Sequence, residues 1–304
     1  MKINKYFPGF TPKAITFSID DGSVKYDKIF IDTVAPSGIK GTFNLYFDRV
    51  ETALSDEEYR EMYRGFEVSN HCNRHPFAID PAKEYNFTDE PFVRETADKN
   101  LVYKGNREGI YRIYHRNYWA TLATREAYLS LAEEGKRDIE KRFGKGSVKG
   151  FVWPYGRQND EKLFEALKSA GYSWIRRGYG VDFSIPDNIM DWGVNADSTN
   201  FEKKILEFEA QSDDGELKFF CFGLHSYDYE RDGKWQELKL FCEKYGKRPN
   251  DFWYATNSEI FEYDAAMKNL TVSDGKMINP TETELFVALE GRKYILPPKS
   301  ETLI

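Results

Sequence analysis

The chain contains few cysteines, few histidines and no long apolar run. Among its 304 residues are three cysteines and four histidines. Cys72, Cys221 and Cys242 form an odd set without paired spacing, which argues against a disulfide framework and favours a reducing compartment. No segment reaches the ~18 consecutive apolar residues of a membrane-spanning helix. The composition is that of a globular protein large enough to bury a substantial core.

The charge pattern also excludes classes of partner. The net charge is −7 and no long basic run is present, so nothing in the electrostatics supports binding to nucleic acid or to an anionic membrane. Residues 1–8 lack the apolar region and cleavage site of a signal peptide, so we expect a cytoplasmic protein, or an extracellular one if a leader has been removed. The oligomeric state is left open.

Aromatic residues, by contrast, are abundant at 16% of the chain. Two interpretations fit them: a tyrosine-rich core, or a carbohydrate-binding cleft in which flat rings pack against sugar faces.

Short apolar runs alternate with amphipathic stretches along most of the sequence. Such repeated strand–helix units predict a mainly parallel sheet, and seven of them favour a distorted (β/α)7-type barrel. The predicted strands are 13–19, 39–47, 66–69, 148–153, 189–194, 217–223 and 252–255. The predicted helices are 24–35, 56–64, 125–142, 158–170, 200–211, 233–245 and 257–268.

Two regions depart from this alternation. Residues 76–124 are rich in aromatic and charged residues with weak periodicity, and they are too long for a simple connection, so we interpret them as an insertion. Residues 269–304 show alternating patterns around Asp274-Gly275 and Glu290-Gly291, which are typical hairpin turns. We expect one domain over 1–268, including the insertion, with a small antiparallel β extension over 269–304 packed on it.

Polar and aromatic groups follow the predicted strands at their ends. In parallel α/β barrels, functional groups gather at the carboxyl ends of the strands. One carboxylate with two imidazoles is the ligand mix of a catalytic zinc-type ion that keeps an open position, which would leave the second aspartate for proton transfer. The groups are Asp20-Asp21, His71 and His75, Trp153-Pro154-Tyr155-Gly156, Asp191-Trp192, and His225.

The order of these groups resembles the five motifs of the polysaccharide deacetylases, the NodB-homology group also called carbohydrate esterase family four. The resemblance covers roughly residues 10–265. The matching segments are Ser18-Ile19-Asp20-Asp21-Gly22, His71-Cys72-Asn73-Arg74-His75, Val152-Trp153-Pro154-Tyr155-Gly156, Asp191-Trp192 and Leu224-His225.

The resemblance implies roles for the first two motifs. Asp21, His71 and His75 would hold a divalent metal ion, most often Zn²⁺ in this family, with Co²⁺ or Ni²⁺ as alternatives. Asp20 would be the general base that takes a proton from water.

It also implies roles for the later motifs. His225 would be the general acid, and Asp191 would pair with it and raise its pKa. The backbone N–H of Tyr155 would stabilise the oxyanion. Contacts with the substrate would come from Trp153 and from an acetyl pocket formed by Trp192 and Leu224.

Two positions depart from the family pattern. Val152 stands where the third motif normally has an arginine that pairs with the base aspartate, and Cys72 replaces a serine or threonine. Another arginine could substitute from a different position, the candidates being Arg157, Arg176 and Arg177.

The implied activity is metal-dependent hydrolysis that removes acetyl groups from a carbohydrate or oligosaccharide, with N-acetyl favoured over O-acetyl. Two alternatives remain open. The same fold could act on a non-sugar C–N bond, as in allantoinase-like relatives, or the chain could be a catalytically silent carbohydrate-binding protein, which Val152 motivates.

Overall fold

A closed barrel of seven parallel strands lies at the centre of the structure, a computed structural model that describes residues 2–47, 54–88, 101–115, 118–156, 158–180 and 182–304. The barrel strands are β2 (Lys13–Asp20), β3 (Lys40–Leu45), β4 (Glu67–Asn70), β10 (Gly150–Val152), β11 (Trp174–Tyr179), β12 (Trp192–Val194) and β13 (Lys218–His225). They pair in the order β12-β11-β10-β4-β3-β2-β13. Ala196, just beyond β12, forms a parallel bridge to Phe222 of β13 and closes the ring. The predicted barrel class is therefore confirmed.

One of the seven predicted barrel strands is wrong. Residues 252–255 contain only the two-residue strand β14 (Trp253–Tyr254), which pairs with β2 outside the ring. The seventh barrel strand is β11, which was not predicted. Its sequence contains Arg176, Arg177 and Gly178, so it lacks the apolar run by which the other strands are recognised.

Helices surround the barrel and follow its strands. Most begin at ordinary capping residues: the side chain of Thr124 caps α3, and Thr256 with Glu259 forms a capping box at α8. The helices are α1 (Val24–Val34), α2 (Asp56–Met62), α3 (Arg125–Phe143), α4 (Glu161–Lys168), α5 (Phe201–Glu209), α6 (Ser226–Arg231), α7 (Trp235–Tyr245) and α8 (Asn257–Lys268).

Alternation along β2 sends polar side chains into the barrel. Its apolar residues Ile15, Phe17 and Ile19 are fully buried in the core cluster that also contains apolar residues of the surrounding helices. Because successive strand residues point to opposite faces, Ser18 and Asp20 face the barrel interior. Asp20 is the last residue of β2, so its carboxylate lies at the carboxyl end of the barrel.

The amino end of the barrel is closed by the start of α8. The backbone N–H of Asn257 donates to Thr42 Oγ1 at 3.1 Å, and that of Ser258 donates to Glu67 Oε2 at 3.1 Å. Trp174 Nε1 donates to Ser258 Oγ at 2.8 Å. The first turn of α8 therefore closes this end of the barrel.

Two further β regions flank the barrel. The region predicted as an insertion forms a sheet in the order β5-β9-β8-β7-β6. For β7, the structure describes the backbone but not the side chains. Its strands are β5 (Pro76–Ala78), β6 (Asn86–Thr88), β7 (Leu101–Arg107), β8 (Ile110–His115) and β9 (Tyr118–Ala123).

Within the described ranges, no helix has the length and apolar composition needed to cross a membrane.

The C-terminal residues form two small antiparallel sheets, β1-β17-β18 and β15-β16-β19. The hairpin turns predicted at Asp274-Gly275 and Glu290-Gly291 are present, with positive φ at all four residues. Strand β1 joins the first sheet, so the amino-terminal segment packs with the C-terminal one. The strands are β1 (Ile3–Tyr6), β15 (Thr271–Ser273), β16 (Lys276–Asn279), β17 (Leu285–Leu289), β18 (Arg292–Leu296) and β19 (Ser300–Leu303).

Candidate active site

Asp21, His71 and His75 converge at the carboxyl end of the barrel. One ligand atom from each residue lies within 4.8 Å of the other two. Asp21 Oδ1 is 3.5 Å from His71 Nε2 and 3.4 Å from His75 Nε2, and the two imidazole nitrogens are 3.2 Å apart. A carboxylate and two imidazoles at this spacing fit a divalent metal ion of the zinc type.

The surroundings keep these three groups in the state that a metal ion requires. His71 Nδ1 lies 2.8 Å from the carbonyl oxygen of Val152 and donates to it, which leaves Nε2 as the ligand nitrogen. Burial and the charge of His71 lower the pKa of His75 to about 3, so this imidazole is neutral. Burial opposes ionisation of Asp21, but its interactions with the neighbouring His71 and His75 outweigh burial and lower the pKa of Asp21.

The backbone is unusual in the segments that carry this site. Among the ten non-glycine residues of the described ranges that have positive φ, five lie in the site or between its two histidines: Asp21, Cys72, Arg74, His75 and Tyr155. Such conformations cost roughly 1–3 kcal/mol each and persist where the surrounding structure holds them. Gly22 is required next to Asp21, because its φ is +68° and a Cβ there would lie 2.9 Å from Leu45 Cδ2.

Asp20 is paired with an arginine that comes from the neighbouring strand. Arg176 Nη2 donates to both carboxylate oxygens of Asp20, at 2.5 Å to Oδ1. Arg176 lies directly opposite Val152 in the pairing of β11 with β10, so an arginine is present one strand away from the position where the family motif has it. Of the other candidates, Arg177 binds Glu161 and Asp191, and Arg157 lies outside the described residues.

A second group positions Asp20. Asn44 Nδ2 donates to Asp20 Oδ1 at 2.7 Å and to Ser18 Oγ at 3.0 Å, while Ser69 Oγ donates to the Asn44 carbonyl. Burial would raise the pKa of Asp20, but the Arg176 guanidinium outweighs it and lowers the pKa. Asp20 is therefore an ionised carboxylate that can accept a proton.

His225 is the last residue of β13, where it pairs in register with Asp20 of β2, and its side chain is paired with Asp228. His225 Nδ1 is 3.0 Å from Asp228 Oδ2. Burial alone would lower the pKa of His225, but the hydrogen bond to Asp228 and the charges of Asp21 and Asp20 raise it. The predicted pairing of Asp191 with His225 is wrong, because Asp191 precedes β12 and its carboxylate contacts Arg177 at 3.4 Å.

These groups line one cavity of about 540 Å³. Leu224, Trp153 and Tyr155 also line this cavity. The predicted place of Trp192 in the acetyl pocket is wrong: it does not line this cavity and packs inside the barrel against Trp174, Phe219 and Phe261. It sits at the start of β12, whereas Asp197 and Ser198, which follow that strand, line the cavity.

Several cavity residues were missed from the sequence. Tyr227 Oη donates to Asp21 Oδ2 at 2.7 Å, and its ring stacks on His225 with centroids 5.0 Å apart. Tyr227 and Asp228 directly follow the strand that ends at His225, so the strand-end rule could have found both. Tyr118 of the insertion also lines the cavity, but no pattern in the sequence connects it to the barrel.

The chain belongs to the polysaccharide deacetylase family. The sequence model of that family matches residues 9–175, more than half of the chain, and this range contains Asp20, Asp21, His71, His75 and Tyr155. No curated protein shows significant similarity to the chain.

Solved structures with a similar course of the chain are distant in sequence. The Xyl-CE4 domain of a multidomain xylanase from the hindgut metagenome of Trinervitermes trinervoides is 17% identical, with a TM-score of 0.48 over 84% of this chain and 92% of that one. A chitin deacetylase from Colletotrichum lindemuthianum is 13% identical, with a TM-score of 0.45 over 84% and 88%. A family 4 acetyl xylan esterase from Clostridium thermocellum, solved with a cobalt ion, is 16% identical, with a TM-score of 0.46 over 83% and 92%. Likeness this distant carries no information on the substrate of this chain.

Proposed function

We propose that the protein is a metal-dependent hydrolase that removes acetyl groups, chiefly N-acetyl groups, from a carbohydrate. The observation that carries the proposal is the convergence of Asp21, His71 and His75 beside the ion pair of Asp20 and Arg176. Membership of the polysaccharide deacetylase family gives this geometry its substrate class.

Asp21, His71 and His75 would hold the metal ion, for which Zn²⁺ is the first candidate and Co²⁺ and Ni²⁺ are the alternatives. Such an ion polarises a carbonyl group and lowers the pKa of a water molecule. The protein supplies the remaining groups. Asp20, ionised beside Arg176, takes the proton from water as the general base.

The leaving amine needs a proton, and His225 supplies it. Asp228 favours the protonated imidazole by raising its pKa, so the base and the acid of the reaction have pKa values shifted in opposite directions. The backbone N–H of Tyr155 donates to the carbonyl oxygen as negative charge develops there. Leu224 and Trp153 provide the apolar contact for the acetyl methyl group.

Chelation and reconstitution test this proposal. Dialysis against a chelator should abolish acetate release from N-acetylglucosamine oligomers, and added Zn²⁺, Co²⁺ or Ni²⁺ should restore it. Acetylated xylan and small amides, assayed in parallel, separate N-acetyl hydrolysis on sugars from O-acetyl hydrolysis and from an allantoinase-like amidase activity. Absence of turnover on every substrate with every metal would leave the carbohydrate-binding alternative.

A silent binding protein was motivated by the missing motif arginine at Val152. Arg176 pairs with Asp20 from the adjacent strand, so that motive no longer applies. The ion pair favours the enzyme over the binding protein.

A further inference from the structure

One tyrosine contacts both the carboxylate of the metal site and the histidine that serves as the acid. Tyr227 Oη donates to Asp21 Oδ2 at 2.7 Å, and its ring lies at 17° to the imidazole of His225, with centroids 5.0 Å apart. We propose that Tyr227 is a positioning residue whose hydroxyl holds Asp21 for the metal ion and whose ring holds His225 for proton transfer. The inference rests on the proposed function and adds a residue that lies outside the five family motifs.

The two carboxylate oxygens of Asp21 have separate tasks. Oδ1 faces the two imidazoles, at 3.5 Å from His71 Nε2 and 3.4 Å from His75 Nε2, whereas Oδ2 accepts the hydrogen bond from Tyr227. A catalytic zinc-type site keeps one coordination position open. An oxygen that accepts a hydrogen bond is less available to the ion, so Tyr227 favours binding through Oδ1 alone and leaves that position open. Because Asp21 is only 4% exposed, water has little access to replace the tyrosine.

The backbone that carries Tyr227 is anchored on both sides. Tyr227 lies in the first turn of α6, which begins directly after β13. On one side, the Ser226 hydroxyl donates to Asp27, whose side chain is fully buried. On the other side, Asp228 Oδ2 lies 3.0 Å from His225 Nδ1. These contacts limit the positions that the ring and hydroxyl of Tyr227 can take.

The ring of Tyr227 restrains an imidazole that is partly open to solvent. The side chain of His225 is 38% exposed. The hydrogen bond with Asp228 fixes Nδ1, but a single hydrogen bond allows the ring to turn about it. Stacking on Tyr227 fixes the plane of the imidazole as well. A general acid must lie within hydrogen-bond reach of the group that it protonates, so this restraint supports proton transfer from His225.

Tyr227→Phe tests the role of the hydroxyl, because it keeps the ring. The affinity for Zn²⁺, measured without substrate by competition with a chromophoric chelator, should fall by about tenfold to a hundredfold. The visible absorption spectrum of the Co²⁺-loaded protein should also change, since Asp21 is no longer held through Oδ2. Tyr229→Phe is the matched control. Tyr229 lies on the same helix and packs against Phe30 and Trp235, so its variant should keep the native affinity and spectrum.

Tyr227→Leu tests the role of the ring, because it removes the stacking partner of His225 together with the hydroxyl. Its Zn²⁺ affinity should equal that of Tyr227→Phe. At saturating Zn²⁺, however, kcat for acetate release from an N-acetylglucosamine oligomer should be about tenfold lower than in Tyr227→Phe. Equal kcat values in the two variants would overturn the role of the ring.

The metal titration distinguishes failure of this inference from failure of the proposed function. If the native protein binds Zn²⁺ and Tyr227→Phe binds it equally well, the role of the hydroxyl is wrong and the proposed function is unaffected. An equal loss of affinity in Tyr229→Phe would also overturn it, because the effect would then come from the packing of α6. If the native protein binds no metal ion, the proposed function fails and the inference fails with it.

Discussion

The two ends of the barrel each hold a partly buried carboxylate, in opposite circumstances. At the amino end, Glu67 accepts hydrogen bonds from Thr42 Oγ1 at 2.7 Å and from the N–H and hydroxyl of Ser258. At the carboxyl end, Asp20 is held by Arg176 and Asn44, and it lines an open cavity. Both carboxylates are hydrogen-bonded, but only Asp20 adjoins space that a reactant can enter.

The pKa values show the consequence. Burial raises the pKa of Glu67 even though Ser258 and Thr42 oppose it. At the other end, Arg176 lowers the pKa of Asp20 despite burial. The start of a helix closes one end of the barrel, whereas at the other end Arg176 keeps a carboxylate ionised beside an open cavity. A functional site is thus distinguished from a structural network by charge partners and by access.

The largest expected effect comes from removing a metal ligand. His71→Ala deletes one of the two imidazoles, so metal binding and acid–base chemistry should fail together and acetate release should fall by about a thousandfold or more. Elemental analysis after dialysis should show a protein with far less than one metal ion per chain. If the variant keeps both its metal ion and its activity, the carboxyl end of the barrel is not the functional site.

Replacing Arg176 should leave a smaller fraction of Asp20 ionised and should remove a group that holds its carboxylate in place. Without the guanidinium, burial dominates and the pKa of Asp20 rises, so the acidic limb of the kcat/KM profile should move to higher pH. We expect the rate at neutral pH to fall by about tenfold to a hundredfold. Arg177→Ala is the matched control, since Arg177 contacts Asp191 and Glu161 rather than Asp20, and it should leave the acidic limb in place. An acidic limb that does not move in Arg176→Ala would refute the assigned role.

A smaller effect is expected on the acid side of the reaction. Asp228→Asn removes the negative partner that raises the pKa of His225. The alkaline limb of the pH profile should therefore shift to lower pH, with activity lost mainly above neutrality. The parallel variant Asp191→Asn should leave that limb unmoved, because Asp191 contacts Arg177. The reverse pattern would restore the assignment that the sequence suggested.

The smallest effect is expected at the closed end. Burial raises the folded-state pKa of Glu67 above its unfolded value, so the ionised carboxylate costs stability at neutral pH and Glu67→Gln relieves that cost. The free energy of unfolding should change by less than about 1 kcal/mol, because the amide retains hydrogen bonds with Ser258 and Thr42. Any gain should shrink as pH falls through the raised folded-state pKa and should be absent below the unfolded pKa, which thermal unfolding at two pH values measures. A loss of acetate release would show that the two ends are not independent.

The sequence predicted the parts of this site that lie in short segments. Asp20 ends β2 and Asp21 follows it, His71 and His75 follow β4, and the strand-end rule identified both pairs. Six of the seven barrel strands were also found, because each has an apolar run. The seventh, β11, has arginines where the others have apolar residues.

What could not be predicted depends on the pairing of strands. Arg176 partners Asp20 because β11 lies next to β10 and places it opposite Val152, a neighbourhood that the chain order does not reveal. Asp191 was assigned wrongly for a related reason: it lies at the beginning of β12, and the residues that reach the cavity follow the end of that strand. The pattern of apolar residues in a sequence locates a strand. For a short strand such as β12, it does not show which end of the strand lies at the site.

The most direct test compares acetate release by the native protein and by Asp20→Asn at equal metal content, on an N-acetylglucosamine oligomer. Asp21, His71 and His75 are unchanged in the variant, so its metal content should remain near one ion per chain. The account predicts that the native protein releases acetate and that the metal-loaded variant releases almost none. Undiminished release by the variant would contradict the assignment of Asp20 as the base.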